Sequence, residues 1–305
     1  MLPDRLLFVV LAGNDTDSSL LGGVGQPSKF LMQFGDELTG DRIVRALDGS
    51  RHCRAIAIAL PPADCETYRP RTRHPIVLAP HGPTRLASMH SALERAGTEG
   101  LYSADEYVLV VTGDLPLLTP EAIDHFCHEC GEHPEADCYM GMVPLCDIDP
   151  GLHPLVTREG LVFRGQSCLH TDIYLFRPSA MSPTAQRRFD GIMAIRRTGR
   201  TSIRGFARAL RLVLEIVGMN GLRPFMRVVL SIPSVTAQPQ PDVAPGPDRL
   251  ERSVLELIEK GFGLRLCLVP IDEPMLALGF DYRDDLKLLS DYHGTRAHQA
   301  TVQRT

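Results

Sequence analysis

An aspartate three residues past the end of a buried strand is placed to meet a ligand, and Asp114 has that position. Residues 107–111 read Tyr-Val-Leu-Val-Val, the pattern of a strand covered on both faces of a parallel sheet. In open α/β sheets, ligands gather outside the carboxyl ends of the strands. A carboxylate there, beside a glycine such as Gly113 that lets another group come close, suits a metal–phosphate ligand. Taken alone, the same pair is more often an aspartate in a solvated turn. Residues 13–26 are a loop by composition, with Gly13, Gly22, Gly23 and Gly25 among Asn14, Asp15, Asp17, Ser18 and Ser19. The N–H groups of such a loop can wrap phosphates, although it is neither a Walker A sequence nor Gly-x-Gly-x-x-Gly. Lys29 follows, in Gln26-Pro-Ser-Lys-Phe-Leu-Met32. An ammonium fixed by that apolar triplet would meet a triphosphate as a point charge; the plain alternative is a solvated surface lysine.

These groups need elements to hold them. Residues 6–12, Leu-Leu-Phe-Val-Val-Leu-Ala, predict a first buried strand; the run is short for a signal peptide, and Asp4 sits where that reading needs positive charge. A helix is expected over 39–47, a strand over 53–60 stopped by Pro61-Pro62, a short strand over 75–79, and a helix over 86–94. Over 119–130 Thr119 suits a helix N-cap, Pro120 the first helical position and Glu121 the positive end of the helix. This alternation predicts βαβ units, hence an α/β fold with a mostly parallel central sheet flanked by helices. A net charge of -5 argues against nucleic acid as the main partner. Eight scattered cysteines suit a reducing, cytoplasmic setting. No apolar run approaches the roughly 18 residues of a spanning helix.

The strand ending in Leu11-Ala12-Gly13, the loop closing on Pro27-Ser28-Lys29, the Gly-Asp-x-Pro-Leu-Leu-Thr-Pro-Glu segment at 113–121 and the late Gly279-Phe-Asp-Tyr-Arg-Asp-Asp-Leu286 together resemble the MobA-like nucleotidyltransferases. The similarity is clearest over 6–130 and returns near 271–290. It implies a GT-A-type, Rossmann-like nucleotidyltransferase fold. It also implies that Leu11, Ala12, Gly13, Asn14, Lys29 and Gly113 hold the NTP, that Asp114 and Asp281 bind Mg2+, and that Ser88 lies near the nucleobase. Here Asn14 stands for the family's second loop glycine, and no arginine lies between Gly13 and Lys29; Gly279 and Arg283 replace an aspartate and a proline of the late motif. The loop therefore lacks one phosphate-binding cation.

Residues 161–176 read as two strands. In one MobA-like branch an asparagine that faces the acceptor precedes a similar strand, and by that resemblance Asp172 would take its place; capping a strand end is the other reading. Cys127-His-Glu-Cys130 lacks a second Cys/His pair and reads as two thiols on a helix end rather than a zinc site. Residues 187–211 are dense in arginine, with Arg204, Arg208 and Arg211 on one face of a helical pattern. Arginine forks suit a phosphorylated acceptor or an anionic lipid surface; a solvated face is the third reading. Residues 233–248 are a proline-rich linker, 250–260 a helix and 264–269 a strand, and 293–305 a polar tail. The expectation is one domain over 1–292, with a helical, arginine-rich insertion at about 179–220.

These readings combine into magnesium-dependent transfer of an NMP from an NTP to a phosphorylated or hydroxyl acceptor. It requires Asp114 and Asp281 to converge on one cation beside Lys29. Two rivals stand beside it. A GT-A glycosyltransferase would be expected to carry Asp-x-Asp, where Gly113-Asp-Leu115 offers one carboxylate. A non-catalytic nucleotide-binding protein is suggested by the missing loop arginine.

Overall fold

The computed structural model describes residues 3–13, 27–156, 161–163, 166–198, 255–256 and 258–302. Asn14 and the rest of the loop to residue 26, Arg204 with its neighbouring arginines, and the proline-rich linker lie outside the described residues. In chain order the strands are β1 (Leu6–Leu11), β2 (Gln33–Phe34), β3 (Glu37–Leu38), β4 (Cys53–Leu60), β5 (Ile76–Pro80), β6 (Val108–Thr112), β7 (Cys138–Pro144), β8 (Leu161–Phe163), β9 (Gln166–Phe176) and β10 (Leu266–Pro270). The helices are α1 (Thr39–Gly49), α2 (Pro62–Thr67), α3 (Arg85–Thr98), α4 (Pro120–Glu132), α5 (Pro183–Thr198) and α6 (Arg283–Val302).

The main sheet runs β10-β7-β9-β6-β1-β4-β5, with β8 paired to β9. β1 pairs parallel to both β4 and β6, β4 to β5, and β10 to β7, whereas β9 runs antiparallel to both β6 and β7. This is the expected mostly parallel α/β sheet. After β1 the chain continues to β4 and β5 on one side and then crosses to β6 on the other, so the order reverses between β1 and β6. A reversal of this kind opens a crevice at the carboxyl ends of the two strands, where side chains from both sides can meet a ligand.

Alternation along the strands divides the core between the two faces. Phe8 and Val10 of β1, Ile56 and Ile58 of β4, and Leu109 and Val111 of β6 pack under α1 and α4 through Ile43, Leu47, Ile123 and Phe126. Leu7 and Val9, Ala55, Ala57 and Ala59, and Val108 and Val110 face α3 through Met89, Ala92 and Leu93. The alanines of β4 let α3 lie close to the sheet, which sets where its first turn projects. Each fully buried aliphatic side chain contributes about 1.5–3 kcal/mol, so these two layers fix the strand ends on which the cleft is built. At α4 the Thr119 hydroxyl accepts from Ala122 N at 3.2 Å and Pro120 opens the helix, as its sequence predicts.

Several features depart from expectation, among them the helices α2 and α6, which the sequence reading did not predict. The two-residue strands β2 and β3 form a hairpin around Gly35, at φ 65°; strands so short carry no periodicity to read. β7, absent from the sequence reading, is a run of Cys-Tyr-Met-Gly-Met-Val-Pro in which Gly141 seats the Thr171 side chain of β9. Residues 293–302, expected as a polar tail, continue α6, and the His293 ring packs 5.9 Å from that of Phe34.

Candidate functional site

The crevice is built from four segments. The first is the end of β1: Gly13 follows Ala12, whose N–H donates to Ala59 O at 3.0 Å. The second is the end of β6, where Gly113 N donates to Leu11 O at 3.0 Å. A Cβ on Gly113 would lie 2.9 Å from Ala12 Cα and 3.0 Å from Ala12 Cβ. Only glycine lets the two strand ends come this close, and the next residue is Asp114.

The third segment is the single turn Lys29–Leu31. Ser28 is 1% exposed; its hydroxyl donates to Ala12 O at 2.9 Å and accepts from Phe30 N at 3.3 Å. Phe30 is fully buried, edge-on to Tyr68 with ring centroids 5.3 Å apart. The lysine is thus pinned from both sides: a hydroxyl ties the turn to β1 and an aromatic anchor drives it into the core. The fourth segment enters α6. Phe280 is buried, and Asp285, in the first turn of the helix, accepts from Asp281 N at 3.0 Å and Tyr282 N at 2.9 Å. This is the reciprocal half of a capping box. It turns the carboxyl group of Asp281 toward Lys29.

These segments bring Lys29, Asp114 and Asp281 together. Lys29 Nζ lies 3.3 Å from Asp114 Oδ2 and makes a close ion pair with Asp281 Oδ1. The partners are 85 and 252 positions away in the chain. Side-chain exposures of 14% for Lys29, 17% for Asp114 and 44% for Asp281 grade the site from its floor to its rim. Burial alone would lower the Lys29 pKa; attraction to Asp114 and Asp281 outweighs it, and the ammonium ends above its usual 10.5. The ammonium also sits 5.9 Å from the centre of the Phe280 ring. Two carboxylates turned to one positive charge are hard oxygen donors of the kind that Mg2+ takes. Lys29 already shows that a cation is held between them, so the pair fits such an ion.

The remaining wall comes from the loop after β5 and the first turn of α3, with His81, Gly82, Thr84, Arg85 and Ser88 lining the crevice. Thr84 caps α3 by accepting from Ala87 N at 3.1 Å. The Ser88 hydroxyl accepts from Gly82 N at 3.0 Å and donates to Gly82 O at 3.3 Å. Ser88 therefore borders the crevice as a brace for the Gly82 turn. Leu11, Ala12, Gly13 and Gly113 all line it too. Asp172 does not: it is 5% exposed within β9, one step beyond the Ile173–Val111 pairing and outside the residues lining the crevice.

Sequence reasoning gave Ser28, His81 and Arg85 no role of their own: Ser28 entered only as part of Pro27-Ser28-Lys29, and His81 and Arg85 only as neighbours of Ser88 in the run 81–88 that the family resemblance places near the nucleobase. A Cβ on Gly13 would lie 2.7 Å from His81 Nδ1, so the imidazole packs over the end of β1. The available signal was position: His81 and Arg85 follow β5 as Asp114 follows β6, past the carboxyl end of a parallel strand. Arg85 gives the wall a cation that the loop at 13–26 lacks in its sequence. Cys127 and Cys130 are buried in α4 as core thiols, with burial pushing the former up to about 12 and the latter well above its usual value.

The sheet order, the crevice at the reversal and the lysine between two aspartates define an α/β protein of the nucleotidyltransferase type. The MobA-like NTP transferase domain matches residues 8–170, more than half of the chain. The chain belongs to that family. Among solved structures it is similar to a hypothetical transferase from Thermus thermophilus, at 19% identity over 92% of this chain and 99% of the other, with a TM-score of 0.59. A 2-C-methyl-D-erythritol 4-phosphate cytidylyltransferase from Francisella tularensis matches at 14% identity over 93% and 97% of the two chains, with a TM-score of 0.47. A CMP:2-keto-3-deoxy-manno-octonic acid synthetase in complex with CTP matches at 11% over 96% and 100%, also at 0.47. The likeness to the first of these supports the fold and nothing finer. No curated protein matches the chain. No helix among the described residues is long and apolar enough to cross a membrane.

Proposed function

We propose that this protein transfers the nucleoside monophosphate of an NTP to a phosphorylated or hydroxyl acceptor with release of pyrophosphate, and that the reaction depends on Mg2+. The observation that carries the reading is the Lys29 ammonium held between Asp114 and Asp281 at the reversal of strand order. Asp114 and Asp281 would hold the metal. When bound, Mg2+ neutralises phosphate charge as it builds up on the leaving group.

The chain's own groups then have separable tasks. Lys29 places a positive charge against the phosphate oxygens, while Gly13 and Gly113 let His81 and the end of β1 pack close and so hold the strand ends in position. The loop at 13–26 would add amide N–H groups around the triphosphate. An acceptor oxygen bonds to the α-phosphorus as the bond to the pyrophosphate oxygen breaks, and a hydroxyl acceptor loses its proton to water. Transfers of this class depend mostly on positioning and charge stabilisation, so a few fixed carboxylates and cations suffice. The nucleoside end would lie against the Gly82 turn and the first turn of α3. Asp172 and Arg204 remain the proposed contacts to the acceptor; a reach from Asp172 requires the acceptor to lie past the last β6–β9 pairing, Val111–Ile173, at the end of β6.

The test has two stages. A thermal-shift screen of the four NTPs and common nucleotide-sugars with Mg2+ names the donor, since a ligand that binds the native state raises its melting temperature. Pyrophosphate release is then followed with candidate acceptors. Asp114→Asn should reduce turnover by about a hundred- to a thousandfold, on the scale of removing one main electrostatic stabiliser, and retain the fold. Unchanged pyrophosphate release in that variant refutes the assignment. Sugar transfer without pyrophosphate release would replace nucleotidyl transfer with the glycosyltransferase reading.

A further inference from the structure

The oxygens that would take a divalent cation already have an occupant. Asp114 Oδ2 and Asp281 Oδ1 both face Lys29 Nζ, and this ammonium is among the more enclosed charges of the crevice, with the lysine side chain 14% exposed. Its place is not incidental. Ser28 ties the turn to β1, Phe30 buries it, and Phe280 lies beneath the ammonium. A metal ion held by the same two carboxylates would share the space between them that the ammonium occupies. The ammonium and the metal therefore compete for one position.

An arriving triphosphate changes that competition, because its oxygens offer the ammonium new partners only a short side-chain rotation away. We infer that Lys29 keeps the Asp114–Asp281 pair closed to divalent cations until nucleotide phosphates draw the ammonium off, so that metal and nucleotide enter together. This rests on the nucleotidyl-transfer reading of the same crevice and adds an order of events to it. Metal alone binds weakly; nucleotide strengthens it, and by reciprocity the metal strengthens nucleotide binding by the same factor. The arrangement would spare the protein a permanently metal-loaded, nucleotide-free state.

Mn2+ is the probe, and the full-length protein is titrated without nucleotide while free Mn2+ is counted by electron paramagnetic resonance. Lys29→Met should bind Mn2+ about 10- to 100-fold more tightly than the wild type, within the usual range of coupling between ligand sites. Lys29→Arg, which keeps the cation, should stay weak, and Asp114→Asn in the Met background should abolish the gain. Mn2+ binding by Lys29→Met no tighter than by the wild type overturns the inference.

A second measurement needs no substitution. The chain has three lysines, Lys29, Lys260 and Lys287, and Lys260 is 75% exposed, a built-in reference for amine acylation read by mass spectrometry. Lys29 should label far more slowly than Lys260 in the metal-free protein, and saturating Mn2+ should speed it. Lys29 labelling that does not respond to bound Mn2+ also overturns the inference. Pyrophosphate release separates the two levels. If the wild type turns over and Lys29→Met gains no Mn2+ affinity, the ordering alone falls. If the wild type neither binds NTP with Mn2+ nor releases pyrophosphate, the proposed function falls and takes the ordering with it.

Discussion

Gly113→Ala tests whether the meeting of β1 and β6 is what aims Asp114. The new Cβ would stand 2.9 Å from Ala12 Cα, 3.0 Å from Ala12 Cβ and 3.2 Å from Leu11 O. All three belong to the β1 end, which has no free rotor to swing aside. Ala12 is also fixed from its other side by its hydrogen bond to Ala59 O and by the Ser28 hydroxyl. Restoring ordinary contact means parting the two strand ends by about half an ångström, and overpacking of this kind costs about 1–3 kcal/mol. In a chain of this size that corresponds to a fall in melting temperature of about 2–5 °C. The carboxyl group of Asp114, one residue on, moves with the strand end. Misplacement approaching 1 Å can cost about a hundredfold in rate, so a loss of about 10- to 100-fold in kcat/KM is expected. Differential scanning calorimetry and a pyrophosphate-release assay check the two effects on the same sample. A variant with unchanged melting temperature and activity within twofold of the wild type would show that the close approach at Gly113 does not set the position of Asp114.

Three further outcomes follow from the same geometry. Ser28→Ala removes the hydroxyl shared by Ala12 O and Phe30 N, and leaving buried backbone groups unpaired should lower unfolding free energy by about 1–3 kcal/mol. Urea denaturation measures that loss, and activity should fall with it because the Lys29 turn loosens. At Asp48, burial pushes the carboxyl pKa up, but the N–H groups of Arg73 and His74 and both their side chains more than offset it, leaving the pKa below 3.8. The stability it supplies is therefore complete above pH 3.8 and lost as pH falls through the lower, folded value. Asp48→Asn should cost about 2 kcal/mol at neutral pH, in the range for hydrogen bonds to a charged group, and denaturation across the acid range should show the gap to wild type closing only below that point. With a thiol reagent at mildly alkaline pH, exposed Cys146 should react in the native protein, while buried Cys127 and Cys130 react only on unfolding; labelling mapped by peptide mass decides this.

Much of the architecture was legible because local rules produce it. The unbroken apolar runs of β1, β4 and β6, the Thr-Pro-Glu start of α4 and the spacing of strands and helices each follow from side-chain periodicity and backbone capping, which act over a few residues. The elements that escaped were those with little such signal: the two-residue hairpin strands, the six-residue helix α2, β7, and α6. Asp114 and Gly113 were legible for the same reason, since the rule that puts ligands at strand ends needs only the strand. Lys29 was singled out by the glycine-rich loop and apolar triplet beside it and Asp281 through motif resemblance, and the chain pattern alone could not have joined them.

What the sequence determined by itself is therefore a set of segments and the chemical character of their ends. Which ends meet was decided by the sheet order. Placing β6 beside β1 brings Asp114 to the β1 end, and β10 and α6 return Asp281 across 252 positions to the Lys29 turn. Tertiary contact also divided the roles within one acidic run: Asp285 is taken by the backbone at the start of α6, and Asp281 is left facing Lys29. Nothing local distinguishes those aspartates, because each is the same carboxylate in a similar neighbourhood. Only the helix geometry, which carries one back to its own N-terminus and the other over the crevice, tells them apart.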